Sequence, residues 1–353
     1  MSQNGEGMAR FEIHGATPAD EDEIFALATH LNTVNLPADR ETIGRLLALS
    51  QRSFNRTVAD PSEREYVFLL RDRHTGATLG TSMVIGQLGR PGEPYIYLQV
   101  DREEKYSASL RRHFVHRVLS VRYSYAGPTE IGGLVVHPAH RNSRDKLGTL
   151  ISFSRFLFIA MRRPDFQDDV LAELLPPLEA NGLSHLWEAL GRHFTGLTYS
   201  EADRLSKRNK EFIRGLFPEG EIYASLLPPA AQAVIGAVGN QTKGVEKILR
   251  RVGFRYAERV DPFDGGPHFL ARTDDVSLVA SAQRVALEET PGLHLAVRAL
   301  VARGMDEPPY FVGMATQVEW RDARTLLVEA DVAARFRELP DGPTWVMPLP
   351  LGT

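Results

Sequence analysis

The first readable pattern is Phe11-Glu12-Ile13-His14, where apolar and polar positions alternate as in a half-buried strand. Thr17-Pro18-Ala19-Asp20 then supplies cap and first-turn residues, predicting a helix that runs to about Leu31. A second helix is expected from Ala38 to Phe54. Tyr66-Val67-Phe68-Leu69-Leu70 and Leu79 to Ile85, separated by His74-Thr75-Gly76, predict a β-hairpin, and Tyr95-Ile96-Tyr97-Leu98 extends its sheet. The middle of the chain interleaves a strand at Gly133 to Val136, a helix from about Leu147 to Met161 and an apolar run from Val170 to Leu175. Shorter helices follow around Trp187, Tyr199 to Leu205 and Glu211 to Phe217.

Strand and helix alternate throughout this region, so the fold class is α/β. Gly253 has the position of a glycine that ends a helix, and Phe254-Arg255-Tyr256 returns the chain to a strand. From about Val279 the character changes. Runs at His294 to Arg298, Tyr310 to Val312 and Thr325 to Val328 lie among Gly and Pro turns, predicting a small β-rich appendage over residues 279–353. Residues 1–10 read as a disordered tail and 11–278 as the main domain.

With 353 residues and 43% hydrophobic side chains, the chain can bury a large core as one big domain or two smaller ones. The formal net charge is -4, so no overall positive field favours nucleic acid or an anionic membrane. There is no cysteine. That excludes disulfides, thiolate metal sites and a cysteine acyl-enzyme, and it fits a reducing compartment. The first residues carry neither a basic nor an apolar leader pattern, and no stretch reaches the length of a membrane span, so a cytoplasmic location is expected. No metal is expected either.

The stretch richest in chemistry is Gly132-Gly133-Leu134-Val135-Val136-His137-Pro138-Ala139-His140-Arg141, followed by a polar loop and the helix containing Ser154-Arg155-Phe156-Leu157-Phe158. It resembles the core of GNAT-type acyltransferases, in which a strand ending in Pro-x-x-Arg runs into a phosphate-binding turn at a helix N-terminus. Free backbone N–H groups there can hold the pyrophosphate of coenzyme A. Longer runs narrow the resemblance: Leu36-Pro37-Ala38-Asp39-Arg40, Trp187 to Phe194, Ser200-Glu201-Ala202-Asp203, Ala231 to Gly236, Gly253 to Tyr256 and Phe263-Asp264-Gly265-Gly266-Pro267. In order and spacing these are similar to the arginine N-succinyltransferase family. The resemblance implies a GNAT-type fold and succinyl-CoA, or another acyl-CoA, as co-substrate with no permanently bound cofactor. It implies the α-amino group of arginine or ornithine as acceptor and a role in arginine breakdown. Homo- or hetero-oligomers are compatible with it.

By this resemblance the acyl-CoA contacts are Leu134, Val136, Arg141, Arg144, Lys146 and Gly148. The family turn is Arg-x-x-Gly-x-Gly; here Gly148 matches the second glycine, Lys146 replaces the first, and the loop is two residues longer. The charged loop can bind phosphate or can simply be solvated. Further departures follow. The family's Val-His-Pro, whose histidine is taken as proton donor to the leaving thiolate, is Val238-Gly239-Asn240. Its Glu-x-Arg is Glu173-Leu174-Leu175, and its Cys-Thr is Gly132-Gly133. A donor type, the imidazole, and a carboxylate-pairing cation are thereby removed. Three readings stay open: the parent succinyl transfer, transfer of a different acyl group or to a different amine, and a non-catalytic descendant that binds a ligand or protein. If the parent reaction persists, Gly239→His is expected to raise turnover.

With Gly239 at the family's histidine position, the catalytic group is unknown. His193, His137 and His140 are substitutes by residue type, though a lone histidine on a helix flank or at a strand end is more often packed or solvated. Tyr256 and Tyr223 are weaker candidates. Glu173, Asp261 and Asp264 can receive a guanidinium, but Asp264 before Gly-Gly-Pro is equally ordinary turn chemistry. Asn32, Thr33 and Asn35 lie where the family approaches its acceptor, or else they end a helix.

Overall fold

The structure, a computed structural model, describes residues 10–29, 38–141, 143–179, 182–206 and 210–350. The tail before Arg10 and the candidates Asn32, Thr33 and Asn35 lie outside the described residues. The chain divides into two compact units.

The first unit comprises residues 1–86, 129–168 and 273–353. Its antiparallel sheet runs, edge inward, Gln283–Arg284, Thr344–Pro348, Val297–Gly304, Phe311–Trp320, Phe11–Gly15, Glu65–Asp72, Thr78–Ile85 and Thr129–Val136. Glu65–Asp72 reads as a nearly unbroken apolar run because helices cover both its faces. Val67 and Leu69 pack with Ile24, Ile43 and Leu47 from the helices Glu21–Thr29 and Arg40–Phe54. Phe68 meets Phe158 of the helix Leu147–Met161 at 5.0 Å between ring centroids.

Residues 279–353 are not an appendage, contrary to the sequence expectation. Phe311–Trp320 pairs directly with Phe11–Gly15, with Glu12 opposite Met314, so the C-terminal strands and the first strand share one sheet. An unforeseen helix, Ala330–Glu338, buries Val332 and Phe336 against that sheet. Arg335 on it donates to both carboxylate oxygens of Glu12 at 2.7 and 3.0 Å.

The second unit comprises residues 87–128 and 169–272. Its antiparallel sheet has the order Asp169–Glu173, Pro267–Arg272, Arg255–Val260, Tyr95–Ser107, Arg112–Ser124, Ile222–Tyr223. The helices Tyr199–Ser206, Glu211–Leu216, Pro229–Val234 and Lys243–Arg251 belong to this unit. Its core gathers Ile96, Leu98, Leu119, Ile213 and Val260 around Trp187, which stacks on Phe263 at 5.0 Å. Tyr95–Ser107 and Arg112–Ser124 form one long hairpin, far longer than the predicted Tyr95 to Leu98. Its outer half, with Arg102, Glu104 and Lys105 next to exposed Tyr106 and Phe114, has no buried face and hence no alternation to read.

Candidate functional site

In the first unit the strand Thr129–Val136 carries a bulge. Gly132 pairs with Met83 and Val135 with Thr81, so Gly133 and Leu134 together stand opposite Ser82. Gly133 takes φ +56°, and a Cβ there would lie 2.7 Å from the Met83 side chain. Glycine is what lets the strand kink against Met83. A second contact secures the kink. Arg155, fully buried on the helix Leu147–Met161, donates to the Gly132 carbonyl at 3.1 Å, the Ser152 carbonyl at 3.1 Å and Ser152 Oγ at 2.8 Å. Burial pushes its guanidinium down to about 9.

Beyond the strand, Arg141 donates from Nε to the Val136 carbonyl at 3.1 Å, and its side chain stays at the surface, as does that of Arg144. Ser143 donates to Asp145 at 2.7 Å, tightening the turn. Lys146 is the residue before the helix and sits in the left-handed region at φ 52°, ψ 47°. That conformation is one glycine adopts more readily than lysine. Gly148 follows in the first helical turn, and a Cβ there would make only an ordinary contact with Val136 at 3.7 Å. The described residues between Leu134 and Gly148 thus run from the bulge through a turn to the helix start.

The second unit gathers an acidic recess. Glu173 ends the strand Asp169–Glu173 and stands directly opposite His268 in the ladder. His268 Nε2 lies 3.3 Å from Glu173 Oε1, and its Nδ1 is 2.7 Å from the Tyr95 hydroxyl. His268 is wholly buried, whereas the Glu173 side chain keeps 34% of its surface exposed. Asp261 joins them: one donor atom from each of Glu173, Asp261 and His268 falls within 4.8 Å of the others. These three are the residues that could hold a metal ion. A tetrahedral zinc site, however, needs ligand atoms about 3.3 Å apart, so the set would have to contract.

Burial, then the charge of Glu173, pushes Asp261 up to about 6. Burial lowers His268 to about 4. Asp264 is pushed well up by burial and by Asp261. Both aspartates are also turn-formers: Asp261 Oδ1 accepts from the Phe263 amide at 2.7 Å, and Asp264 Oδ1 accepts from the Gly266 amide at 2.7 Å. For Asp264, which is buried, the turn role holds, and it does not present a free carboxylate to a guanidinium.

The other candidates do not converge here. His193 is exposed on the four-residue helix Arg192–Thr195. His137 accepts from the Ala139 amide at 3.3 Å and lies beside His140, as strand-end loop residues do. Tyr223 donates to Glu103. Tyr256 is half-buried, and burial raises it to about 12.

At Gly239 the structure overturns an expectation. A Cβ there would lie 2.6 Å from the Pro176 carbonyl and 2.9 Å from that of Leu175, so a histidine has no room. Sequence reasoning also missed His268, Tyr95 and Arg155. Of these Arg155 lay in the noted run Ser154-Arg155-Phe156 and Tyr95 in a run read only as a strand; a lone histidine between Pro267 and Phe269 fits no motif.

Comparison with known proteins accords with this layout. The family described as arginine N-succinyltransferase beta subunit matches residues 11–278. The chain is 31% identical over 336 residues to arginine N-succinyltransferase subunit beta of Pseudomonas aeruginosa, covering 92% of this chain and 94% of that one. It is 33% identical over 256 residues to arginine N-succinyltransferase of an Enterobacter species, covering 72% and 73%. A solved structure of arginine/ornithine succinyltransferase subunit AI from Pseudomonas aeruginosa superposes with a TM-score of 0.81 at 26% identity, covering 98% of this chain and all of that one. The chain belongs to the arginine N-succinyltransferase family and has its GNAT-type α/β fold.

Proposed function

We propose that this protein transfers a succinyl group from succinyl-CoA to the α-amino group of arginine or ornithine, within arginine catabolism. The observation that carries the reading is a relationship to a named arginine N-succinyltransferase subunit over 92% of the chain. The geometry supports it in two places. The bulge and the turn from Arg141 to Gly148 bring backbone N–H groups and surface cations to a helix start, which suits the pyrophosphate of an acyl-CoA. The recess of Glu173 and Asp261 suits a cationic amine.

In this reading the amine nitrogen attacks the thioester carbon and a backbone N–H at Leu134 stabilises the oxyanion. Coenzyme A leaves as its thiolate. That thiolate is a good enough leaving group for water to protonate it in place of the family's histidine. Residues 11–278 carry the chemistry and 279–353 contribute stability. The substrates are small molecules, with neither nucleic acid nor membrane. Among the described residues no helix is long and apolar enough to cross a membrane, and a cytoplasmic site suits the substrates. The subunit named in the relative makes assembly with itself or a second chain part of the proposal.

The test is thiol release from succinyl-CoA in the presence of arginine or ornithine, with acetyl-CoA alongside, and thermal stabilisation by each thioester. Release that depends on the amine supports the reading. Stabilisation by an acyl-CoA without turnover of either amine would favour a changed acceptor, for which Leu175 and Gly239 in place of the family's cation and imidazole are the reason. No heat and no stabilisation at millimolar thioester would remove acyl-CoA altogether.

A further inference from the structure

The outer half of the hairpin formed by Tyr95–Ser107 and Arg112–Ser124 is a two-stranded ribbon with both edges open. On one edge Tyr95–Ser107 pairs with Arg255–Val260 only at Leu98 and Gln99, and on the other Arg112–Ser124 pairs with Ile222–Tyr223 only at Val118 and Leu119. Among the described residues, the backbone from Asp101 to Ser107 therefore has a strand partner on one side alone. Tyr106 at 69% and Leu110 at 68% exposure sit on this ribbon, with Phe114 and Val115 exposed beside them. A two-stranded hairpin by itself is marginal in water, and apolar side chains that bury nothing do not improve it. Such an edge is a template for a further strand unless its charges forbid one.

The order of those charges selects the strand that fits. Along the edge they run Asp101, Arg102, Glu103, Glu104, Lys105. A two-fold axis normal to the sheet at Glu103 lays a second copy of the strand antiparallel to the first. Arg102 then stands opposite Glu104 of the second copy and Asp101 opposite its Lys105, and symmetry repeats both pairs. Glu103 alone meets itself, but its carboxylate is already paired with Lys105, accepts from the Tyr223 hydroxyl and lies opposite His116 in its own ladder. Moving the axis to Glu104 leaves only Glu103 against Lys105 and the symmetry repeat of that pair. Moving it to Arg102 sets arginine against arginine and Asp101 against Glu103. The opposite edge, Arg112 to Arg117, carries only bases among its charged residues, so it would repel its own copy. The overlap is bounded where Leu98 and Gln99 are already paired, which leaves Val100 facing the exposed Tyr106 of the second copy. We propose that the edge from Val100 to Tyr106 is a homodimer surface, on which two copies of this chain join their sheets antiparallel about Glu103. The inference gives a surface to the self-assembly named above and is independent of the acyl-transfer reading. An overlap of about 20 Å is a small interface, so association in the micromolar range is expected.

Sedimentation of the full-length protein from about 1 to 100 µM should show a reversible monomer–dimer equilibrium. Arg102→Glu should weaken it by roughly tenfold or more, since two opposite-charge pairs become like-charge pairs, and Glu104→Arg should do the same. Combining Arg102→Glu with Glu104→Arg rebuilds the pairs in exchanged order and should recover dimerisation to within about threefold of wild type. The chain has no cysteine, so Glu103→Cys places a lone thiol on the axis. Facing residues of antiparallel strands have Cα atoms about 4.5–5.5 Å apart, within reach of a disulfide. Mild oxidation should therefore give a covalent dimer of Glu103→Cys, and His113→Cys on the other edge should stay monomeric. A wild type that remains monomeric at about 100 µM, or a dimer indifferent to both single reversals, overturns the proposal. So does a double reversal no better than either single one, or a Glu103→Cys protein that does not crosslink faster than His113→Cys. None of these readouts involves thiol release, so they stand or fall apart from succinyl transfer.

Discussion

The amide of Gly239 donates to the carbonyl of Leu175 at 2.9 Å, and this bond ties the turn at Gly239 to the segment that follows the strand Asp169–Glu173. Thr242 Oγ1 donates to the same carbonyl at 2.9 Å, so the backbone of Leu175 and Pro176 is drawn onto the Gly239 turn. Where Leu175 and Pro176 close in, no side chain fits at residue 239.

Gly239→His is accordingly expected to destabilise the protein by about 1–3 kcal/mol, the range for overpacking a tight site, and not to raise turnover. Urea denaturation and thiol-release assays on the same sample check both parts. A variant as stable as wild type and faster on arginine would show that the Pro176 carbonyl moves away at little cost.

Lys146 gives a prediction of opposite sign. A non-glycine residue in the left-handed region costs about 1–2 kcal/mol, and glycine returns about half of that through its freer unfolded chain. Lys146→Gly should raise stability by roughly 0.5–1 kcal/mol, whereas Lys146→Val should lower it, since a β-branched residue tolerates that φ worst. A stability loss in Lys146→Gly would mean that the lysine side chain contributes more than its backbone costs. Arg141→Ala should weaken succinyl-CoA binding by about tenfold in calorimetry, the loss of one charge-assisted bond.

The helix after Lys146 was legible from the sequence as about 147–161, because a charged polar loop gives way to a mostly apolar stretch. The bulge was not, since only its pairing shows Gly133 and Leu134 sharing Ser82. The acidic recess was half legible. Glu173 and Asp261 stood out as acids able to receive a guanidinium, but what groups them is His268, brought to Glu173 by strand register and to Tyr95 by a contact across 173 positions. Residue type can nominate a carboxylate, whereas register is a property of the folded sheet. The same limit hid the place of residues 279–353.

For that reason a chain ending at Ala280 is expected not to fold. It would lose Phe311–Trp320 from the side of Phe11–Gly15 and uncover Phe68, whose ring lies 5.4 Å from Phe311. Circular dichroism without a cooperative melt, together with dye binding to exposed apolar surface, would bear this out. A cooperative melt near that of the full chain would show that the C-terminal strands are dispensable after all.

The last prediction uses the opposed titrations of Asp261 and His268. Asp261 is raised in the folded protein to about 6, above its ordinary value of 3.8, so its ionisation opposes folding: stability from this group increases as pH falls from 6 toward 4. His268 is lowered to about 4 from 6.5, so only the unfolded chain takes up its proton in that window, and stability from this group is lost as pH falls from 6.5 toward 4. In the wild type the two nearly cancel, and substituting one unmasks the other. Asp261→Asn keeps the oxygen that caps Phe263 and Asp264 while removing the charge. Relative to wild type it should be more stable at pH 7, with the advantage fading below about pH 4. His268→Gln should show the reverse slope, gaining on wild type as pH drops from 6.5 to 4, with at most about 1.4 kcal/mol per pH unit in either curve. Urea denaturation at half-unit pH intervals gives both difference curves. Two curves of the same slope would mean that Asp261 and His268 do not share a common low-dielectric recess in the folded protein.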